Sequence, residues 1–334
     1  MEKSVPKQSW SGWQLLMAAA FTAGTLVLAL RDVNFSKVIS ILSQADLGLL
    51  ALAVITVVAN IAAKAVRWRL LFALHKQPSL GRCFSVLSIG LLANMIAPTR
   101  LGEFVRAFLI GETESASKVY ALGTIAVEKI IELTVILISV ALLLTQMALP
   151  DWLMEPARIA FTITLFIVLF LFVTWQPNAI LRGVGWTSRF IPWVSKERLI
   201  EQAQYALVSL SVLRYPRLLS GLFAWSIIAW LFGISTNYLV LLAMGLSLPI
   251  WTALLLLVVL QVGVAAIPSA PGQVGVFHYL VILSLSLFTV PKEVALGYGI
   301  VLHLIIYMPL TLMGIFALWR EKIAWQRLLN FHIR

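Results

Sequence analysis

Charge, cysteine and histidine are all scarce in this chain. Only 12% of its 334 residues are charged, against 61% hydrophobic ones. That balance is too apolar for a soluble domain and points to a polytopic membrane protein. A lone cysteine, Cys83, excludes a disulfide framework and a thiolate metal cluster. The apolar–polar alternation of a transmembrane barrel is missing, whereas apolar runs of roughly twenty residues recur. Also missing are a Walker-type phosphate loop, an Asp-x-Asp metal pair and a His-Glu-x-x-His zinc helix. No cofactor and no metal are therefore expected, and no soluble catalytic domain.

What is present is an all-α pattern: a membrane helical bundle forming a single transmembrane domain over residues 1–334. Apolar runs predict spans near 13–30, 47–66, 117–144, 157–175, 218–244 and 294–318. Lys3 and Lys7 precede the first run as in a signal peptide. That run is long and meets Arg31 and Asp32, so an uncleaved span is expected. The net charge of +11 lies in loops beside apolar spans, which favours orientation signals and anionic-lipid contacts over nucleic acid.

Loop charge predicts the orientation. Lys64, Arg67, Arg69, Lys76 and Arg82 lie on one side, with Arg182, Arg189, Lys196, Arg198, Arg214 and Arg217 in 176–217 and Arg320, Lys322, Arg327 and Arg334 in the tail. The loop 145–157 has Asp151 and Glu155 but neither Lys nor Arg. Both termini are then cytoplasmic. The segment 176–217 reads as a cytoplasmic amphipathic linker. Two interfacial faces are expected, one from Phe35, Val38, Ile39 and Leu42, the other from Leu199, Ala203, Ala206, Leu207, Leu210 and Leu213.

Two apolar stretches are interrupted. One reads Asn94-Met-Ile-Ala-Pro98-Thr-Arg100-Leu-Gly102-Glu103-Phe-Val-Arg106, between arms 84–97 and 101–111. The other reads Pro268-Ser-Ala-Pro271-Gly272-Gln-Val-Gly275-Val-Phe-His278, between arms 251–267 and 276–290. Broken backbone and charge survive at membrane depth only when buried in protein or lining a polar cavity. The arms of the first pair are too short to span, which predicts a re-entrant hairpin; the second pair is a hairpin or two spans. With the predicted orientation, 47–144 and 218–318 form inverted units of helix, broken hairpin and helix, the arrangement that marks a translocation site.

Arg100, Glu103 and Arg106 stand three apart and share a face if 101–111 is helical. A guanidinium suits phosphate oxygens. The same triplet also reads as a self-neutralising cluster, or as charges that snorkel to the surface. Glu128 lies about 16 Å into its span at the helical rise, and Glu132 shares its face while Lys129 points about 100° away. Two carboxylates at that depth need a cationic partner, Arg100 or Arg106, or one is protonated and able to couple proton movement; a static salt bridge is the alternative. Pro268, Pro271, Gly272 and Gly275 free backbone groups, with Ser269 and Gln273 at hand to satisfy them. A helix starting near Gly275 would aim its positive end at the break and favour an anion. His278 is a titratable neighbour or a structural histidine. Asn60, Lys64 and Arg67 form a polar stripe; Arg67-Trp68-Arg69 reads as an interfacial anchor. Asn237, Gln261, His303 and Tyr307 read as polar contacts between helices.

At these breaks the chain resembles the flippase-like transmembrane family of lysylphosphatidylglycerol synthases, over about residues 10–320. The family's Asn-x-x-x-Pro-x-Arg-x-Gly-Glu-x-x-Arg pattern is met by Asn94, Pro98, Arg100, Gly102, Glu103 and Arg106. Arg67-Trp68-Arg69-Leu70-Leu71 is similar to the upstream basic-aromatic motif. Glu128-Lys129-x-x-Glu132 is similar to a family Glu-Arg-x-x-Asp. Pro271-Gly272-x-x-Gly275 matches a Pro-Gly-Gly-x-Gly loop, with Gln273 in place of a glycine, and His278 stands where many relatives have glutamate.

The resemblance implies a stand-alone lipid-translocating membrane domain, without the fused aminoacyl-transferase, in the bacterial cytoplasmic membrane. The expected substrate is a phosphate-bearing anionic lipid, such as an aminoacyl-phosphatidylglycerol or a polyprenyl-phosphate-linked lipid. The expected contacts are Asn94, Arg100, Glu103, Arg106, Glu128, Lys129, Glu132, Pro271, Gly272, Gln273, Gly275 and His278. Expected partners are membrane lipids and a lipid synthase or glycosyltransferase, with a homodimer open to it. Two other readings stand beside this one: a membrane-embedded transferase using the paired carboxylates, and a non-catalytic membrane partner of a glycosyltransferase or lipid synthase.

Overall fold

Apolar runs punctuated by proline, glycine and short capping residues make this chain predominantly helical over its described length. The computed structural model describes residues 12–96, 101–114, 117–173, 195–267 and 270–323. Among them are twelve α-helices: α1 Gly12–Leu30, α2 Phe35–Ser43, α3 Leu47–Leu70, α4 Leu80–Ile96, α5 Gly102–Glu114, α6 Lys118–Gln146, α7 Asp151–Val173, α8 Lys196–Leu210, α9 Pro216–Ala243, α10 Ile250–Ala266, α11 Val276–Ser286 and α12 Lys292–Arg320. Local chemistry sets several boundaries. The Asn34 side chain accepts from Lys37 N–H at 3.2 Å and starts α2. Asp46 accepts from the N–H groups of Gly48 and Leu49 at 2.8 and 3.1 Å and starts α3.

Each expected span is a helix, and the fold is all-α as predicted. Among the described residues three helices, α3, α9 and α12, are long and apolar enough to cross a membrane. The arms of the two breaks are shorter: 17 and 13 residues for α4 and α5, 17 and 11 for α10 and α11. At the helical rise α5 is about 20 Å long and α11 about 17 Å, against a hydrocarbon core of about 30 Å.

The chain packs into two compact units. One comprises the described parts of Met1–Val58, Ser88–Val105 and Phe232–Arg334; the other, Ala59–Leu87 and Arg106–Leu231. In the first unit α11 is wrapped by α12, α10 and α1, and α2 lies against α12. The expected apolar face of α2 is divided: Val38 is buried, whereas Phe35 and Ile39 face outward.

In the second unit α6 packs against α7 and along α8. The segment read as an interfacial face lies against a helix as well: Ser209 on α8 is buried against Gly123 of α6, while Leu199, Ala203, Ala206, Leu207 and Leu210 are half-buried. An amphipathic face can serve a neighbouring helix as well as a membrane surface. Of the linker 176–217, residues 176–194 lie outside the described part.

Candidate functional site

The first break closes on itself through Asn94. Its Oδ1 accepts from Gly102 N–H, the first residue of α5, at 2.7 Å, and its Nδ2 donates to Glu103 Oε2 at 3.2 Å. A side chain on Gly102 would run into the carbonyl of Gly90 on α4, and its Cβ would lie 2.6 Å from Asn94 Oδ1. The glycine is what lets α5 start against α4. Pro98 and Arg100 lie outside the described residues, so the expected Arg100–Glu103–Arg106 face is seen only in its last two members. Those two have different partners.

Arg106 belongs to a buried ion-pair network in the second unit. Its Nη1 and Nη2 donate to Glu128 Oε1 and Oε2 at 3.3 and 2.7 Å. Arg67, from α3, donates through Nη2 to Glu128 Oε1 at 3.0 Å and Glu132 Oε1 at 2.7 Å, and through Nη1 to Ser226 Oγ at 3.2 Å. Lys129 Nζ reaches Glu132 Oε2 at 3.0 Å from a half-exposed position. Arg67, Arg106 and Glu128 are only 2%, 4% and 2% exposed. Two cations thus grip one carboxylate at a depth where any of the three alone would be costly. The Arg106 guanidinium also lies 4.3 Å from the Trp68 ring centroid, and Trp68 Nε1 donates to Thr124 Oγ1 at 3.2 Å. Both arginines leave a buried Nε without a partner among the described residues.

This corrects the expectation that Arg67-Trp68-Arg69 is an interfacial anchor. Arg67 and Trp68 are core residues, and Arg67 is the second cation that the two carboxylates required. The sequence carried the clue in the Asn60, Lys64 and Arg67 stripe, whose first member donates to Ala229 O on α9.

The second break is a short stretch of left-handed backbone. Gly272, Gln273 and Gly275 have φ of 76°, 59° and 89°, around a single 3-10 turn over Pro271–Gln273. Gly275 caps α11 at a point where a Cβ would lie 2.8 Å from Thr25 Oγ1 on α1. Thr22 Oγ1, also on α1, accepts from Ala270 N–H at 2.8 Å. Pro268 and Ser269 lie outside the described residues. From α12, His303 Nε2 sits 2.8 Å from Gly272 O, and the Tyr307 hydroxyl donates to Gln273 Oε1. The His303 and Tyr307 rings stack at 4.0 Å, and His278 lies 5.2 Å from His303, centroid to centroid.

Sequence reading grouped His303 and Tyr307 with general helix contacts. Their spacing of four puts both on the face of α12 that holds the break. Asn237 does serve as a helix contact: its carbonyl accepts from Tyr298 OH at 3.0 Å. One turn beyond Tyr307, Thr311 Oγ1 lies 3.9 Å from Sδ of Met95 at the end of α4. From His303 to Thr311 is about 12 Å at the helical rise. The second break and the end of α4 that leads into the first therefore lie against one helix, within the first unit. The second unit carries Arg106, Glu128, Lys129 and Glu132.

Among the described residues no cluster of three or more histidine, cysteine or carboxylate groups is placed to hold a metal. No curated protein matches the chain. The family model described as "Lysylphosphatidylglycerol synthase TM region" matches residues 15–314, which takes in every helix from α2 to α11, both breaks and most of α12. With apolar spans, interrupted helices and that match together, the chain belongs to the family of lysylphosphatidylglycerol synthase transmembrane regions.

Proposed function

We propose that this membrane protein is a flippase-like transporter of a phosphate-bearing anionic lipid, an aminoacyl-phosphatidylglycerol or a polyprenyl-phosphate-linked lipid, in the bacterial cytoplasmic membrane with both termini inside. The observation that carries the reading is that the second break and the end of α4 leading into the first lie against α12, about 12 Å apart along it. Broken backbone at such depth is useful where a polar head group must be met. Pro271, Gly272, Gln273, Gly275 and His278 then form a seat of backbone donors, and Asn94 with Glu103 shapes the other break. The arms are re-entrant hairpins in this reading, and the two halves are inverted copies.

Charge supports an acidic cargo. The network of Arg67, Arg106 and Lys129 against Glu128 and Glu132 holds three cations to two carboxylates. Lys64 stands one turn before Arg67 on the same helix face. A phosphate diester would balance part of that excess. Arg100 and Arg106 are the phosphate contacts in this scheme, with Glu128 and Glu132 as their counter-charges. A lipid synthase or glycosyltransferase would supply the cargo.

The test is reconstitution into vesicles with a head-group-labelled phosphatidylglycerol. The protein should move it well above the rate of protein-free vesicles, and Arg100→Ala should slow it by about tenfold or more, the scale of one lost charge-assisted hydrogen bond. Equal rates with and without protein would end the transport reading; an unaltered rate in Arg100→Ala would remove the phosphate role of that residue.

A further inference from the structure

We propose that the first turn of α11 is an oxyanion site that takes a phosphate group together with a proton, with His278 as the group that is protonated. The site rests on the reading of this break as a head-group seat, and adds to it a proton taken up with each head group.

Two independent observations meet here. First, α11 begins without a side-chain cap: Gly275 is its N-cap, and the first turn leaves its N–H groups without helical acceptors. Those groups and the positive end of the helix favour an anion. Second, His278, in that same turn, is 8% exposed and its Nδ1 has no hydrogen-bond partner among the described residues. Side chains in a helix lean toward its N-terminus, so an imidazole in the first turn is directed to the break. The Cδ2 edge of the ring lies toward Gly299 on α12, at 3.6 Å from where a Cβ there would stand, which turns the Nδ1 edge away from α12. A buried polar atom left open costs free energy that a ligand can return.

The charge logic follows from the surroundings. From α12, His278 is faced by His303, whose Nε2 is engaged with Gly272 O; Tyr307, engaged with Gln273, stacks on the His303 ring. Its own helix contributes Tyr279 as the next residue. Neither α10 nor α1, the other helices packed on α11, contains an ionisable side chain. Lys292, at the start of α12, donates to the carbonyls of Leu28 and Arg31. An anion entering this apolar surround has no counter-charge among those groups unless the imidazole becomes a cation. The neutral ring holds one proton. The second comes from solvent as the phosphate arrives, and the new imidazolium N–H donates to a phosphate oxygen. No other bond is made or broken.

The experiment uses the full chain in detergent and two diester probes that do not titrate near neutrality, short-chain phosphatidylglycerol and dimethyl phosphate. Calorimetric titrations near pH 7 in buffers of different ionisation enthalpy count protons taken up per probe bound. The expected result is uptake approaching one proton, abolished in His278→Gln with about tenfold or more weaker binding. The imidazole 15N signals of His278 should move to the imidazolium range on adding probe, a readout that needs no variant. Binding without proton uptake, or uptake that persists in His278→Gln, overturns the proposal. Equal affinity for the two probes assigns the site to a free phosphate group; preference for the lipid assigns it to a head group with its chains. Proton-linked binding in a protein that moves no lipid in vesicles would keep this site and sink the transporter.

Discussion

The two polar centres of this protein are built by opposite means. In the second unit, charge sits on unbroken helices: α3 supplies Arg67, α6 supplies Glu128 and Glu132, and the charged groups are bound to one another. In the first unit the helix itself is interrupted, and the gap is bridged by neutral hydrogen bonds with Thr22, His303 and Tyr307. An ion-pair network is rigid because each partner would be stranded if it moved. A gap held by neutral hydrogen bonds costs far less to rearrange, on the order of 1 kcal/mol per bond. The contrast assigns framework to the charged centre and adaptability to the broken one.

The hardest blow to that contrast comes from Glu128→Ala. It would strand Arg106 and half-strand Arg67, both buried, so the expected loss is about 3–5 kcal/mol. Thermal unfolding in detergent should show a large drop or no folded protein. Glu128→Gln, which keeps two hydrogen-bonding atoms without the charge, should fall between Ala and the native residue. If Glu128→Ala unfolds like the native chain, the network is no framework and its charges serve the cargo alone.

How these centres appeared in the sequence differs in the same way. Helices, breaks and the carboxylate pair were legible because they rest on local pattern: apolar runs, proline and glycine, a spacing of four. Arg67 was misplaced for a physical reason. The apolar run ends at 66, which puts Arg67-Trp68-Arg69 just past the expected span, but α3 continues to Leu70 and carries Arg67 inward. Its partners are 61 and 65 residues away, and no local rule names them. His303 and Tyr307 had the right spacing to share a face, yet their targets lie 31 and 34 residues back. The family loop has a glycine where this chain has Gln273, and the backbone there is left-handed, which explains the pattern's preference.

A middle-sized effect is expected where the first break closes. Gly102→Ala would place a methyl into the Gly90 carbonyl and against the Asn94 side chain. Backbone cannot yield as a side-chain tip can, so α4 and α5 must part, at about 1–3 kcal/mol. Asn94→Ala should cost about 1 kcal/mol by comparison, since it removes a cap but adds no clash. The ordering of the two in thermal unfolding is the check: a larger loss in Asn94→Ala would mean that capping, rather than close approach, holds this turn.

The smallest effect should come from Tyr307→Phe, and it sharpens the comparison most. The hydroxyl donates to the side chain of Gln273, a non-glycine residue held at a φ of 59°. A left-handed backbone costs such a residue about 1–2 kcal/mol, so the tyrosine bond is part of what keeps the turn in place. Its loss should lower global stability by only about 1 kcal/mol, because the aromatic ring and its stacking on His303 remain. Hydrogen exchange should reveal a local change: faster exchange at Gln273 and Val274, with the amides of α6 around Glu128 unaffected. Replacing Gln273 with glycine in the Tyr307→Phe background should restore part of the loss, since glycine adopts that backbone freely. Were exchange instead to rise equally around Glu128, the broken centre would be no softer than the charged one.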